Sequence, residues 1–229
     1  MSSYAADHPY EGLSPHPVSV ELEPAIEHRN RVTAFFRLFL ALPHLILVGG
    51  PLAGALSWGA QSSSERDGGF EWSSSFGIIG FFVFCATIIA WLAIVFTAQH
   101  PHMLYRFAHW FLRWRVRANA YFMLLRDEYP PFGDGDYPAR LAFVPVEGTR
   151  RVTSVLFRIL LALPQLVALW LLGIVWGITT IVAWFSIVFT GTYPPGLYRF
   201  GAGALRWSTR VEAYLLLLHD DYPPFTIGR

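Results

Sequence analysis

Two stretches of this chain are copies of one another, and that duplication limits the fold more than any other feature. Trp91 to Phe132 and Trp184 to Phe225 align without a gap and share 23 of 42 residues. The match resumes upstream at a different offset, pairing Arg29, Arg37 and Leu40-Ala41-Leu42-Pro43 with Arg150, Arg158 and Leu161-Ala162-Leu163-Pro164. One unit is used twice, so the residues kept in both copies report what the unit needs. The offset falls from 121 to 93 between Pro43 and Trp91, which gives the first copy 28 extra residues around a polar excursion, Ser57 to Gly69. That excursion reads as a tolerated surface loop, with a docking place for an external partner as the alternative.

What the unit is made of points to a membrane. Hydrophobic residues are 54% of the chain and charged residues 14%, with a mean hydropathy of +0.39, outside the range of soluble domains. The apolar residues fall in four blocks, Leu38 to Leu56, Phe76 to Phe96, Val152 to Leu172 and Ile174 to Phe189. Each is at or close to the length that crosses a hydrocarbon core of about 30 Å. They predict four transmembrane helices in two hairpins, the second with a turn near Gly173. An even number of spans per unit would relate the copies by a pseudo-twofold along the membrane normal.

The fold class expected is therefore an all-α integral membrane protein, with a transmembrane hairpin and an amphipathic interfacial helix repeated in tandem. Residues 1–15 read as a flexible acidic tail, 16–132 as the first repeat and 137–225 as the second. Each repeat opens on a short alternating stretch between prolines, Pro17 to Pro24 and Pro138 to Pro145, which suits a strand pairing with its counterpart. The polar first 28 residues hold no Lys or Arg, so no cleaved secretion signal is expected. All 17 basic residues are Arg, and only Arg66 lies in the loop opposite the rest. By the positive-inside rule the protein is placed in the inner (plasma) membrane as a multi-pass protein with both termini cytoplasmic.

After each hairpin a helix starts near Pro101 or Pro194. On it Arg106, Arg113 and Arg117, at i, i+7 and i+11, fall within about 20° of one line, and Arg199, Arg206 and Arg210 repeat the stripe. With aromatics around the remaining surface, such a helix is expected to lie in the interface, its arginines meeting anionic headgroups or an acidic partner. The plainer reading of the stripe is a solvated face or salt bridges to the chain's own Asp127, Asp220 and Glu147. Arg37 and Arg158, inside the apolar blocks, either snorkel or pair with the acidic ending of the other copy.

His44 follows Pro43 inside the first span, and an intramembrane polar residue is a functional candidate by default. Its counterpart Gln165 can hydrogen-bond but is poorly suited to ligating haem or carrying a proton, so a packing hydrogen bond is the reading for both. His100, His102 and His109 have metal-like spacing, but the second copy has Tyr193, Pro195 and Ala202 there, and no metal site is assigned. No cofactor is expected. No phosphate-binding loop, G-x-S-x-G, H-E-x-x-H or dinucleotide pattern occurs, so no catalytic residue is assigned.

LALPH at Leu40 to His44, FTGTYPPGLYRF at Phe189 to Phe200, LRW at Leu205 to Trp207 and DDYPPF at Asp220 to Phe225 together resemble a family of actinobacterial multi-pass membrane proteins known only as a domain of unknown function. The resemblance covers both repeats and implies a tandem membrane domain, with no activity to carry over. The function expected is a non-enzymatic accessory or scaffold subunit contacting anionic lipid or a membrane-protein complex, without nucleic acid. A small oligomeric transporter or channel is the alternative, and a lipid-modifying enzyme a third class.

Overall fold

A computed structural model describes residues 16–51, 77–144 and 152–228. Strand β1 (Val18–Leu22) leads into a short helix α1 (Arg31–Phe35) and then α2 (Arg37–Val48). Helices α3 (Gly77–Thr97) and α4 (His102–Phe122) complete the first copy. The second runs β2 (Ala139–Phe143), α5 (Val152–Leu156), α6 (Arg158–Thr190) and α7 (Pro195–Leu215). The acidic tail 1–15 and the polar excursion lie outside the described residues.

The expected second hairpin is not formed. Helix α6 runs unbroken for 33 residues through Gly173, because one glycine costs a helix about 1 kcal/mol and the buried stripe on either side of it stays in phase. The first copy tells the same story with an interruption. The 12 residues of α2 and the 21 of α3 match the 33 of α6 residue for residue. Buried Arg37, Ala41 and His44 correspond to Arg158, Ala162 and Gln165, and Gly80, Val83, Ala90 and Ile94 to Gly173, Trp176, Ala183 and Ile187. Gly77, at φ +70°, starts α3 against the end of α2, where a Cβ would meet Leu47 backbone at 2.5 Å. Only a glycine fits that abutment.

Nor does α3 fold back along α2. Leu104 near the start of α4 packs on Ala90 and Ile94 near the end of α3, while Tyr121 at the other end of α4 meets Arg37 at the start of α2. Helix α4 thus runs antiparallel beside both. In each copy the two apolar blocks form one long line with the amphipathic helix returning along it.

The copies embrace through reciprocal contacts. Trp91 Nε1 donates to Val155 O at 3.0 Å and Trp184 Nε1 to Ala34 O at 2.9 Å, the same bond made in both directions. The strands pair antiparallel with Val20 opposite Leu141, equivalent residues, so the pseudo-twofold passes between them. The pairing expected of the two proline-bounded stretches is present.

Helices α3 and α6 are long and apolar enough to cross a membrane by length and composition, and only 28% and 17% of their apolar windows are buried. Apart from Val83, Ile94, Trp176 and Ile187, most of their large side chains face outward, unlike those of a soluble core helix. The centre of the molecule is instead α4 and α7. Ala118 and Ala120 on α4, with Gly201, Gly203 and Ala204 on α7, are buried among Phe111, Trp114 and Val116. Phe111 and Trp114, on a helix expected to lie in the membrane interface, are instead in the protein core. An amphipathic stripe looks the same whether lipid or protein covers it.

Candidate functional site

The residues that both copies retained assemble into one cluster per copy. At the start of α2, Arg37 donates from Nη2 to Asp127 Oδ1 at 2.5 Å and from Nη1 to Tyr121 O at 2.9 Å, and its guanidinium lies 4.1 Å from the Tyr121 ring centroid. At the start of α6, Arg158 reaches Asp220 Oδ1 at 2.9 Å and Tyr214 O at 2.7 Å, 4.3 Å from the Tyr214 ring. Both arginine side chains are almost wholly buried. A buried charge needs an opposite charge and hydrogen-bond acceptors; here the carboxylate and the helix-end carbonyl take the terminal nitrogens and the ring face lies against the guanidinium. The acidic ending is thus bound by the arginine of its own copy, correcting both the snorkelling reading and the cross-copy pairing. Asp127 also accepts from Arg29 Nη2 at 2.8 Å.

The turn that delivers each aspartate is also duplicated. Leu124 at φ 62° and Leu217 at φ 61° hold the left-handed region, and Leu125 N and Leu218 N reach back to Ala120 O and Ala213 O. This is a Schellman-type helix end with leucine where glycine is usual. A non-glycine residue there carries a strain of order 1 kcal/mol, sustained here by burying both leucines.

Two turns along the long helix, His44 and Gln165 play one role. Trp114 Nε1 donates to His44 Nδ1 at 3.0 Å, and Trp207 Nε1 to Gln165 Oε1 at 2.9 Å. Gln165 Nε2 donates in turn to Pro223 O at 2.5 Å; Pro130 is the equivalent residue beside His44, whose Nε2 is buried without a hydrogen bond among the described residues. With an acceptor at Nδ1 and a proton on Nε2, imidazole presents the same acceptor and donor as a glutamine amide. Phe132 stacks on His44 at 4.4 Å between centroids, and Phe132 and Phe225 each meet their tryptophan edge-on at 6.0 Å. The Tyr-Pro-Pro-Phe endings therefore close over these polar pairs.

The arginine stripe is divided. Arg106 and Arg199 are exposed and Arg113 is half-exposed, 3.3 Å from Asp134. Arg117 is buried and donates to Gly133 O at 2.9 Å, Arg206 Nε to Val20 O at 3.1 Å, and buried Arg210 Nη2 to Gly228 O at 3.4 Å. Burial, with the neighbouring Arg113 or Arg206 charge, holds the Arg117 and Arg210 guanidinium pKa below its usual value. The six arginines do not form one surface: the C-terminal half of the stripe is spent on backbone carbonyls. Across the α4–α7 interface Arg115 Nε meets Glu212 Oε1 at 2.9 Å. Burial raises the Glu212 carboxyl, with Arg115 opposing. At the symmetry-related positions stand Ser208 and Asn119, so the copies have diverged together into one charged and one neutral pair.

Among the described residues no group of three His, Cys, Asp or Glu side chains is arranged to hold a metal ion. His100 and His109 instead contact Tyr105, edge-on at 5.5 Å and stacked at 6.4 Å.

No curated protein and no solved structure matches the chain. The family described as Domain of unknown function (DUF4389) matches it twice, over residues 75–133 and 153–226, one segment in each copy. Those segments contain both aspartate turns, both tryptophans and both aromatic closures, and on them the chain belongs to the DUF4389 family.

Proposed function

We propose that this protein is a non-enzymatic membrane scaffold that holds anionic lipid at the cytoplasmic face of the plasma membrane. The observation that carries the reading is the position of the exposed arginines. Arg106 and Arg199 stand about one turn into the returning helices α4 and α7, beside the ends of the outward-facing apolar helices at Thr97 and Thr190. An apolar surface bordered by guanidinium groups suits acyl chains beside phosphates, and each arginine near an anionic surface contributes about 1 kcal/mol. The anionic charge of the cytoplasmic leaflet, which attracts clustered arginines, supports the cytoplasmic assignment. The shared motif residues support a scaffold role, being engaged with one another as fixed pairs.

The test is Arg106→Gln, Arg113→Gln and Arg199→Gln combined, purified in mild detergent with co-purifying lipids and proteins read by mass spectrometry. A fall in anionic lipid with unchanged melting supports the proposal. An unchanged lipid profile returns these arginines to a solvated face, and loss of a stoichiometric protein instead makes the ligand a membrane-protein complex.

A further inference from the structure

We infer that the protein sits in a single leaflet, with its two long apolar helices parallel to the membrane plane and its sheet facing water. This rests on the membrane reading above and concerns how the apolar surface meets the lipid.

The reciprocal contacts fix the relative direction of the long helices. Ala34, just before α2, touches Trp184 near the end of α6; Val155, just before α6, touches Trp91 near the end of α3. When each line starts beside the other's end, the two are antiparallel. Their symmetry axis then stands perpendicular to both and passes between their midpoints.

The sheet locates that axis. Two antiparallel strands are related by a twofold perpendicular to their plane, and here it runs between Val20 and Leu141. One face, with buried Val18, Val20, Ala139 and Phe143, closes on the core. The other displays Glu21 opposite Arg140, both exposed. The sheet is therefore stacked on the helices along the axis, at the level of their midpoints.

Two orientations of this body in a bilayer follow, and they differ in cost. With the long helices upright, the axis lies in the membrane plane and the sheet is carried to mid-bilayer depth, pressing Glu21 and Arg140 toward acyl chains. Charges at that depth are strongly unfavourable. With the helices flat, the axis is the membrane normal and the same two charges sit in water.

Length favours the same choice. The 33 residues of α6 extend about 50 Å against a hydrocarbon core of about 30 Å, so an upright fit needs a tilt beyond the usual range of about 0–40°. Ile159 and Phe189, at opposite ends, are 71% and 72% exposed. An upright α6 would leave an apolar end in water, whereas a flat helix about 10 Å thick is covered from end to end within one leaflet. Helices α4 and α7 then lie at headgroup depth, which brings Arg106 and Arg199 to the phosphates.

The full chain carrying Cys85→Ala, reconstituted in vesicles of phosphatidylcholine and phosphatidylglycerol, provides the test. Nitroxides on Ile159→Cys, Leu171→Cys and Phe189→Cys, each exposed on α6, report depth through oxygen and nickel-chelate accessibility. A flat seat gives similar depths at all three, none beyond the bilayer midplane, with Glu21→Cys open to an impermeant thiol reagent. A maximum of depth at Leu171→Cys with the two ends in opposite aqueous phases overturns it. So does a shielded Glu21→Cys. A carbonate wash separates the failures: release of the protein overturns the membrane reading itself, whereas retention with an upright depth profile overturns only the flat seat.

Discussion

Replacing His44 by glutamine should leave the protein nearly unchanged, whereas replacing it by alanine should not. His44 is buried to 1% exposure and accepts the Trp114 indole proton at 3.0 Å. Alanine leaves that indole donor buried without its acceptor, a cost of about 1–3 kcal/mol. It also removes the ring stacked on Phe132 at 4.4 Å, worth about 1 kcal/mol. Together the loss is about 3 kcal/mol, which at roughly 2–4 °C per kcal/mol for a chain of this size lowers Tm by about 6–12 °C. Glutamine restores both the acceptor and the donor, as Gln165 already does in the second copy, so the shift should stay under about 4 °C. The assay is thermal unfolding in mild detergent, followed by tryptophan fluorescence, with Gln165→His and Gln165→Ala run alongside. If His44→Gln melts as low as His44→Ala, or if His44→Ala melts like the unsubstituted chain, the shared-role argument is wrong.

Three further outcomes are expected. Arg158→Ala strands Asp220 beside a buried helix end and should cost about 3–5 kcal/mol, read by the same melting assay, while Arg158→Lys, lacking the second donor arm, recovers only part. Trp91→Phe and Trp184→Phe each remove one of the two reciprocal bonds and should cost about 1 kcal/mol apiece, equal within error if the twofold holds. Burial and the Arg113 charge lower the His109 pKa from 6.5, Asp134 opposing, so the unfolded chain takes up this proton first. Its contribution is present above about pH 6.5 and lost as pH falls through that value, and His109→Ala, the residue of the second copy, should flatten the pH–Tm curve below pH 6.5.

The duplication and the strand pairing were legible in the sequence because both are written as one-dimensional patterns. Prolines bounding an alternating run mark β1 and β2, and residues retained in both copies mark the Arg–Asp and Trp–His/Gln pairs. What those residues touch was not legible. Arg37 at the edge of an apolar block looks the same whether it snorkels to water or binds Asp127, since only the left-handed turn at Leu124 brings the carboxylate back. The stripe on α4 likewise looks the same against lipid and against α7. Composition is also blind to direction: Val152 to Leu172 and Ile174 to Phe189 have the same residues in a hairpin as in the short α5 followed by the single helix α6. The 28-residue insertion made the first copy look like a hairpin and hid the line that α2 and α3 form.

The distance between the two ends of α6 tests the account most directly. Spin labels on Ile159→Cys and Phe189→Cys, in a Cys85→Ala background, can be measured by double electron–electron resonance in vesicles. Thirty residues of continuous helix separate them by about 45 Å at 1.5 Å per residue. A distribution centred near that value supports the long antiparallel helices on which the symmetry, the twin clusters and the membrane seat depend. A distribution centred below about 20 Å, the spacing of neighbouring helices in a hairpin whose axes lie about 10 Å apart, would contradict it.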